Sequence, residues 1–226
     1  MRLLSSWSGG KDSALACYKA LSDNNEIVCL VNFISKEYKR CCFHGTEAKL
    51  ISLQAELTGI PLFQKEVTAD MIEYENEFKS AVKEVKQKYN AEGMVFGDIY
   101  LDEHREWVER VCGEIGITPV EPLWNKSTAD IIAEFINDGF RAVVVSCKAD
   151  ILGRDFVGRY IDTEFVRYLQ ERNICLCGEN GEFHTFLVDA PFFNKKIEIT
   201  CSEPVLKKGF WEHWFLDIQK WEVKSK

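Results

Sequence analysis

Leu3-Leu4-Ser5-Ser6-Trp7-Ser8-Gly9-Gly10-Lys11-Asp12-Ser13 is the stretch on which the reading of the whole chain turns. An apolar start, a bend of small residues and then apolar positions at helical spacing (Ala14, Leu15, Tyr18, Leu21) predict strand, loop and helix. Two glycines let the backbone approach an oxyanion with no Cβ in the way, and the following helix offers unpaired N–H groups and the positive end of its dipole. Lys11 adds a point charge, Ser8 and Ser13 add hydroxyl donors, and Asp12 supplies an oxygen for the Mg²⁺ that accompanies a polyphosphate. A plain strand-to-helix turn accounts for one Gly and one Ser. It gives no reason for Lys-Asp-Ser directly after Gly-Gly. The loop reads as a phosphate site, but not as G-x-x-x-x-G-K-[ST], because no earlier Gly stands at that spacing and an Asp follows the Lys.

With 226 residues, 46% hydrophobic and 28% charged, the chain can bury a full core as one large domain or two small ones. No stretch approaches the roughly 20 apolar residues needed to span a bilayer, so a cytosolic protein is expected. The nine cysteines are scattered, and Cys17, Cys29, Cys112 and Cys147 sit in apolar runs, as buried reduced thiols do. Only Cys41-Cys42 and Cys175-x-Cys177 lie close together, which is not zinc-ribbon spacing. The net charge of -8 opposes a large nucleic-acid footprint, and the one basic patch, Lys36, Lys39 and Arg40, reads as solvated loop charge.

Beyond the first helix, Glu26 to Ile34 is an apolar run suited to a strand covered on both faces. Thr46 is expected to cap a helix bearing Leu50, Leu53 and Leu57, which Gly59 closes before a short strand from Leu62 to Glu66. A helix from about Ala69 to Tyr89 follows, then strand, Gly97-Asp98 and helix over Met94 to Ile115. This alternation predicts an α/β fold, a parallel sheet with helices on both faces and ligands beyond the carboxyl ends of the strands. Thr118 to Trp124 holds two prolines and marks the expected boundary between residues 1–124 and a smaller α+β domain, 125–226. There the pattern predicts helices over Asp130 to Ile136 and Tyr160 to Leu169, and strands over Arg141 to Cys147, Phe183 to Val188, Lys196 to Cys201 and Trp214 to Val223. Pro191, Pro204 and Gly209 are expected between strands.

Three further stretches carry chemistry. Gly178-Glu-Asn-Gly-Glu-Phe-His-Thr185 packs two glycines, two carboxylates, a His and a Thr ahead of a strand. A hairpin turn would explain Asn180-Gly181, but not Glu179, Glu182 and Thr185, which suit a polar substrate. Gly158-Arg159 puts a bidentate donor beside a glycine, fit for a carboxylate or phosphate, unless Arg159 simply pairs with Asp155 or Asp162. Gly97-Asp98 and His104-Arg105 add polar groups at a strand end and at the start of the next helix.

Ser8-Gly-Gly-Lys-Asp-Ser13 resembles the PP-loop of the N-type ATP pyrophosphatases, whose fold is Rossmann-like (adenine nucleotide alpha hydrolase-like) and which split ATP into AMP and pyrophosphate. With His44, Leu57-Thr-Gly-Ile-Pro-Leu62, Gly97-Asp-Ile99, Glu121-Pro-Leu-Trp124, Val157-Gly-Arg159 and Gly178 to Thr185, the chain resembles the diphthine-ammonia ligase family from its first strand to about Pro191. The resemblance implies an ATP-dependent ligase that adenylates a carboxylate and transfers ammonia, with diphthine on translation elongation factor 2 or a small carboxylate as acceptor. It further implies that Ser8, Gly9, Gly10, Lys11, Asp12 and Ser13 hold the pyrophosphate and Mg²⁺, with His44, Gly97 and Asp98 near the nucleotide. Arg105, Gly158, Arg159, Glu179, Glu182 and Thr185 are then candidates for the acceptor and ammonia side, and Lys11, Asp12, Arg105, Arg159, Glu179 and Glu182 for catalysis. Val157 stands where Leu is common in the family and His184 where an acid often occurs, and residues 97–105 look more like the bacterial branch, whose hosts lack diphthamide. The acceptor is therefore left open.

Two other readings compete. PP-loop tRNA thiolases use cysteines, for which Cys41-Cys42, Cys147 or Cys175-x-Cys177 would serve, but the acidic charge speaks against RNA. A non-catalytic adenine-nucleotide-binding regulator would use the aromatic segment Phe210-Trp-Glu-His-Trp-Phe215 as a contact surface. Such a cluster more often packs a last strand or a homodimer interface.

Overall fold

The computed structural model describes residues 1–42, 44–208 and 212–226. Phe210 and Trp211 of the aromatic segment, and the turn residue Gly209, lie outside them. The chain forms two compact units. The first is Met1–Ser8, Asp12–Cys42 and Glu47–Lys126; the second is Ser127–Lys226 together with Gly9–Lys11 and residues 44–46.

In the first unit β1 (Arg2–Ser6), α1 (Lys11–Ser22), β2 (Glu26–Ser35), α2 (Ala48–Thr58), β3 (Leu62–Val67), α3 (Met71–Tyr89), β4 (Gly93–Val95), α4 (Asp102–Ile115) and β5 (Thr118–Val120) alternate strictly. The strands form one parallel sheet in the order β3-β2-β1-β4-β5. The chain steps from β1 to β3 in one direction and returns past β1 to β4 and β5. Right-handed crossovers therefore put α1 and α2 on one face and α3 and α4 on the other. On the latter face Phe78, Val82 and Val85 of α3 and Val108, Val111 and Ile115 of α4 close over Val31, Phe33 and Met94. The reversal between β1 and β4 is a topological switch point, and ligands of open α/β sheets bind at the carboxyl ends of the strands there.

Two local expectations are corrected here. The stretch after Ile117 does not end the repeat, since Thr118–Val120 is the fifth parallel strand. Pro119 is tolerated because β5 is an edge strand, where a missing N–H faces outward. Nor does Thr46 cap α2: the cap position is Glu47, with no side-chain cap bond, and its carboxylate meets Arg40 at 3.5 Å and Lys49 at 2.6 Å.

The second unit holds α5 (Thr128–Asn137), β6 (Arg141–Lys148), α6 (Thr163–Glu171), β7 (Phe183–Asp189), β8 (Lys196–Lys208) and β9 (Glu212–Lys224). Its sheet is antiparallel in the order β7-β6-β9-β8. The helix expected from Tyr160 starts only at Thr163. Ile161 N donates to Ala142 O at 2.9 Å, holding 160–161 against β6, and the Asp162 carboxylate caps the helix by accepting from Phe165 N at 2.8 Å. Pro204 does not separate strands but lies within β8, again an edge strand. A parallel α/β unit followed by a smaller antiparallel α+β unit is the architecture the sequence leads one to expect. No helix among the described residues is long and apolar enough to cross a membrane.

Candidate active site

The loop after β1 is anchored before it reaches its glycines. Asn32, buried in the middle of β2, donates from Nδ2 to Trp7 O at 2.8 Å, and the Trp7 indole N–H donates to Gln54 Oε1 at 3.0 Å. The Ser8 and Ser13 hydroxyls lie 3.1 Å apart across the turn. Gly97, after β4, packs on the start of α1: a Cβ there would lie 2.9 Å from both Asp12 C and Ser13 N. The first unit thus brings Ser8, Asp12, Ser13 and Gly97 together where β1 and β4 diverge.

Gly9, Gly10 and Lys11 run along the open edge of β7 in the second unit. Leu187 N donates to Gly9 O at 2.9 Å, and Lys11 N donates to Thr185 Oγ1 at 2.9 Å. The Lys11 side chain is buried, its ammonium donating to Cys177 O and lying 5.4 Å from the Phe183 ring centroid. Gly9 adopts φ 80°, and a Cβ on Gly10 would come within 2.6 Å of His44 Cε1. His44 places its Nδ1 3.0 Å from Thr185 O and its ring centroid 4.8 Å from that of His184. Gly45, at φ 70°, is needed because a Cβ would meet the Phe215 ring at 2.7 Å.

Glu182 is buried and folds its own turn, accepting from Asn180 N at 2.9 Å and Asn180 Nδ2 at 3.0 Å, while Lys148 Nζ donates to Asn180 O at 2.7 Å. Gly158 takes φ 90°, and Val144 N donates to Arg159 O at 2.9 Å. Arg159 pairs with neither Asp155 nor Asp162 but with Glu164 at 3.7 Å, its guanidinium over the rings of Phe156 and Phe165. In the first unit Asp98 Oδ1 meets His104 Nδ1 at 3.0 Å, and Arg105 bonds Glu109 at 2.7 Å and stacks on Trp124 at 4.8 Å. Glu121, just past β5, belongs to the Glu-Pro-Leu-Trp motif. Burial, helped by the charge of Asp98, pushes its carboxyl above the usual range, and its Oε1 is buried without a hydrogen-bond partner.

Among the described residues no three His, Cys, Asp or Glu side chains are grouped to hold a metal by themselves. A Mg²⁺ delivered on a polyphosphate needs only one or two protein carboxylates, and Asp12 in the first turn of α1 is a donor of the right kind. The nine cysteines are free thiols. Burial raises Cys41 and Cys147 to about 12, far from the thiolate that sulfur transfer requires. The basic patch is neutralised locally, Lys36 pairing with Glu77, Lys39 with Glu66 at 2.6 Å and Arg40 with Glu47.

The sequence profile described as Diphthamide synthase N-terminal domain matches residues 1–119, and that described as Diphthamide synthase C-terminal domain matches residues 127–223. The chain belongs to the diphthamide synthase family. A protein named diphthine--ammonia ligase from Danio rerio is 29% identical over 250 aligned positions, covering 100% of this chain and 98% of its own length. The protein of that name from Mus musculus is 29% identical over 229 positions, covering 91% of this chain and 85% of its own. A solved structure described as a predicted subunit of tRNA methyltransferase from Methanocaldococcus jannaschii superposes with a TM-score of 0.46 at 15% identity, over 84% of this chain and 97% of that one. Both diphthamide synthase domains are thus present in this chain, the phosphate-type loop in the first match and the Gly178 to Thr185 turn in the second.

Proposed function

We propose that the protein is an ATP-dependent ligase that adenylates a carboxylate and converts it to an amide with ammonia, as the name of its relatives states for diphthine. The observation that carries this is Lys11: a buried ammonium directly after Gly9-Gly10, tied by its backbone to Thr185 of the second family domain. A carboxylate resists ammonia because oxide is a very poor leaving group. When a carboxylate oxygen attacks the α-phosphorus of ATP, the bond from that phosphorus to the β-phosphate bridge breaks and pyrophosphate leaves. Ammonia, formed when ammonium gives up a proton, then attacks the acyl carbon. The C–O bond to AMP breaks, and a further proton passes to solvent. Such steps call for positioning and charge neutralisation more than for side-chain nucleophiles.

In this reading Ser8, Gly9, Gly10, Lys11 and Ser13 grip the departing pyrophosphate, Asp12 holds its Mg²⁺, and His44, Gly97 and Asp98 border the nucleotide. Gly158, Arg159, Glu179, Glu182 and Thr185 serve the acceptor, and Arg105, in the first turn of α4, is a further candidate for it. The acceptor is diphthine on elongation factor 2 or a small carboxylate, the setting cytoplasmic, and the assembly a homodimer. ATP–pyrophosphate exchange tests the assignment. Exchange should require a carboxylate substrate, fall on the order of 100-fold in folded Lys11→Ala, and persist in Cys41→Ser and Cys177→Ser. Exchange stimulated by tRNA and abolished at a single cysteine would instead establish sulfur transfer.

A further inference from the structure

The chain has four histidines, and three of them meet on one face of the second unit's sheet. Ser146 of β6 lies in register between His184 of β7 and Phe215 of β9, and the next row on that face pairs Lys148 with His213. The His44 ring meets that of His184 at a tilt, and the His213 ring centroid is 6.0 Å from that of Phe215. His44, His184, His213, Lys148 and Phe215 are each only partly buried, whereas Ser146 beneath them is fully buried with a hydroxyl that has no hydrogen-bond partner. The nearby acid, Glu182, has both carboxylate oxygens engaged by Asn180.

From this arrangement we infer that the face formed by Ser146, Lys148, His184, His213 and Phe215 is a subsite for an oxyanion, a carboxylate or phosphate carried by the acceptor apart from the carboxylate that is activated. The inference rests on the ligase reading for the word acceptor, but the oxyanion site stands on geometry alone. The His184 and His213 imidazoles and the Lys148 ammonium, which also donates to Asn180 O, share one face above the unsatisfied Ser146 hydroxyl, donor types that recognise a small anion. The electrostatics agree. Burial first, then the neighbouring basic groups His44, Lys11, His213 and Lys148, hold the His184 imidazole well below its usual range. A bound anion opposes that repulsion and favours the protonated ring, so binding should draw in a proton.

Inorganic phosphate titrated into the full-length protein, with the four histidine Hε1 signals followed by NMR, tests this. The His184 and His213 signals should move together and saturate, the midpoint of His184 should rise with phosphate present, and His104, which lies in the first unit, should not respond. Lys148→Met and His213→Gln should each weaken phosphate about tenfold, the worth of one charge-assisted hydrogen bond, and the shifts should survive a saturating non-hydrolysable ATP analogue. If the analogue erases them, or Lys11→Ala abolishes them while Lys148→Met and His213→Gln do not, the phosphate belongs to the nucleotide loop and the subsite is refuted. Saturable His184 and His213 shifts in a protein with no ATP–pyrophosphate exchange would uphold the subsite while refuting the ligase reading.

Discussion

Gly97 shows how a single missing side chain builds a site. A methyl group there would press on the carbonyl carbon of Asp12 and the nitrogen of Ser13 at 2.9 Å, and neither backbone atom can swing aside. Gly97→Ala should therefore displace the first turn of α1, raising the KM for ATP in exchange assays by an order of magnitude or so while circular dichroism stays that of the folded protein. An unchanged KM would mean that the turn does not touch nucleotide. The residues 8–13 were legible in sequence because their chemistry is local: the turn, its donors and its helix are contiguous. The approach of Lys11 to Thr185, the tilted contact of His44 with His184 and the burial of Glu121 beside Asp98 were not, since each depends on which strands become neighbours. Glu182 is a different case. Its place in a polar turn was evident, while its two bonds to Asn180 emerge only once the turn closes.

Secondary elements were mostly legible because apolar periodicity is strong in a sheet buried on both faces. The misses cluster where side chains overrule pattern: Asp162 starts α6 later than its apolar residues suggest, and edge positions accept Pro119 and Pro204. The pair α3 and α4 adds a polar clamp to its apolar seam. Glu75 accepts from Arg110 at 2.6 Å, Lys79 at 3.0 Å and the Trp107 indole at 2.9 Å, and Glu114 closes the ring with Lys79 and Arg110. These donors, Arg110 foremost, lower the Glu75 carboxyl from 4.5 to about 2. The folded value lies below the unfolded one, so the stabilisation is complete above 4.5 and disappears as pH falls toward 2. Arg110 is half exposed, so solvent screens the network and its contribution to stability is small. Glu75→Gln should lower the melting temperature near neutral pH by roughly 2–4 °C, with mutant and parent converging in strong acid. A constant gap across pH would show that lost packing, not charge, was measured.

At the scale of the molecule, sequence pattern divides the chain once, whereas the two units exchange it repeatedly. Residues 9–11 and 44–46 belong with 127–226, and Leu187 N of β7 bonds Gly9 O. A fragment of residues 127–226 made alone would lack those two strips and leave the edge of β7 open, a template for pairing with other chains. Its expected behaviour is self-association and binding of hydrophobic dye, relieved when the complementary fragment is co-expressed; a monomeric, cooperatively melting fragment would contradict this. The same interleaving bears on how such proteins diversify. A crossover at the single apparent seam would transplant a sheet without residues 9–11 and 44–46, which group with it, so the second unit is not a self-contained cassette. New acceptor specificities must instead arise by point changes within an inherited whole, and the phosphate loop, being stitched into that sheet, constrains which of those changes survive.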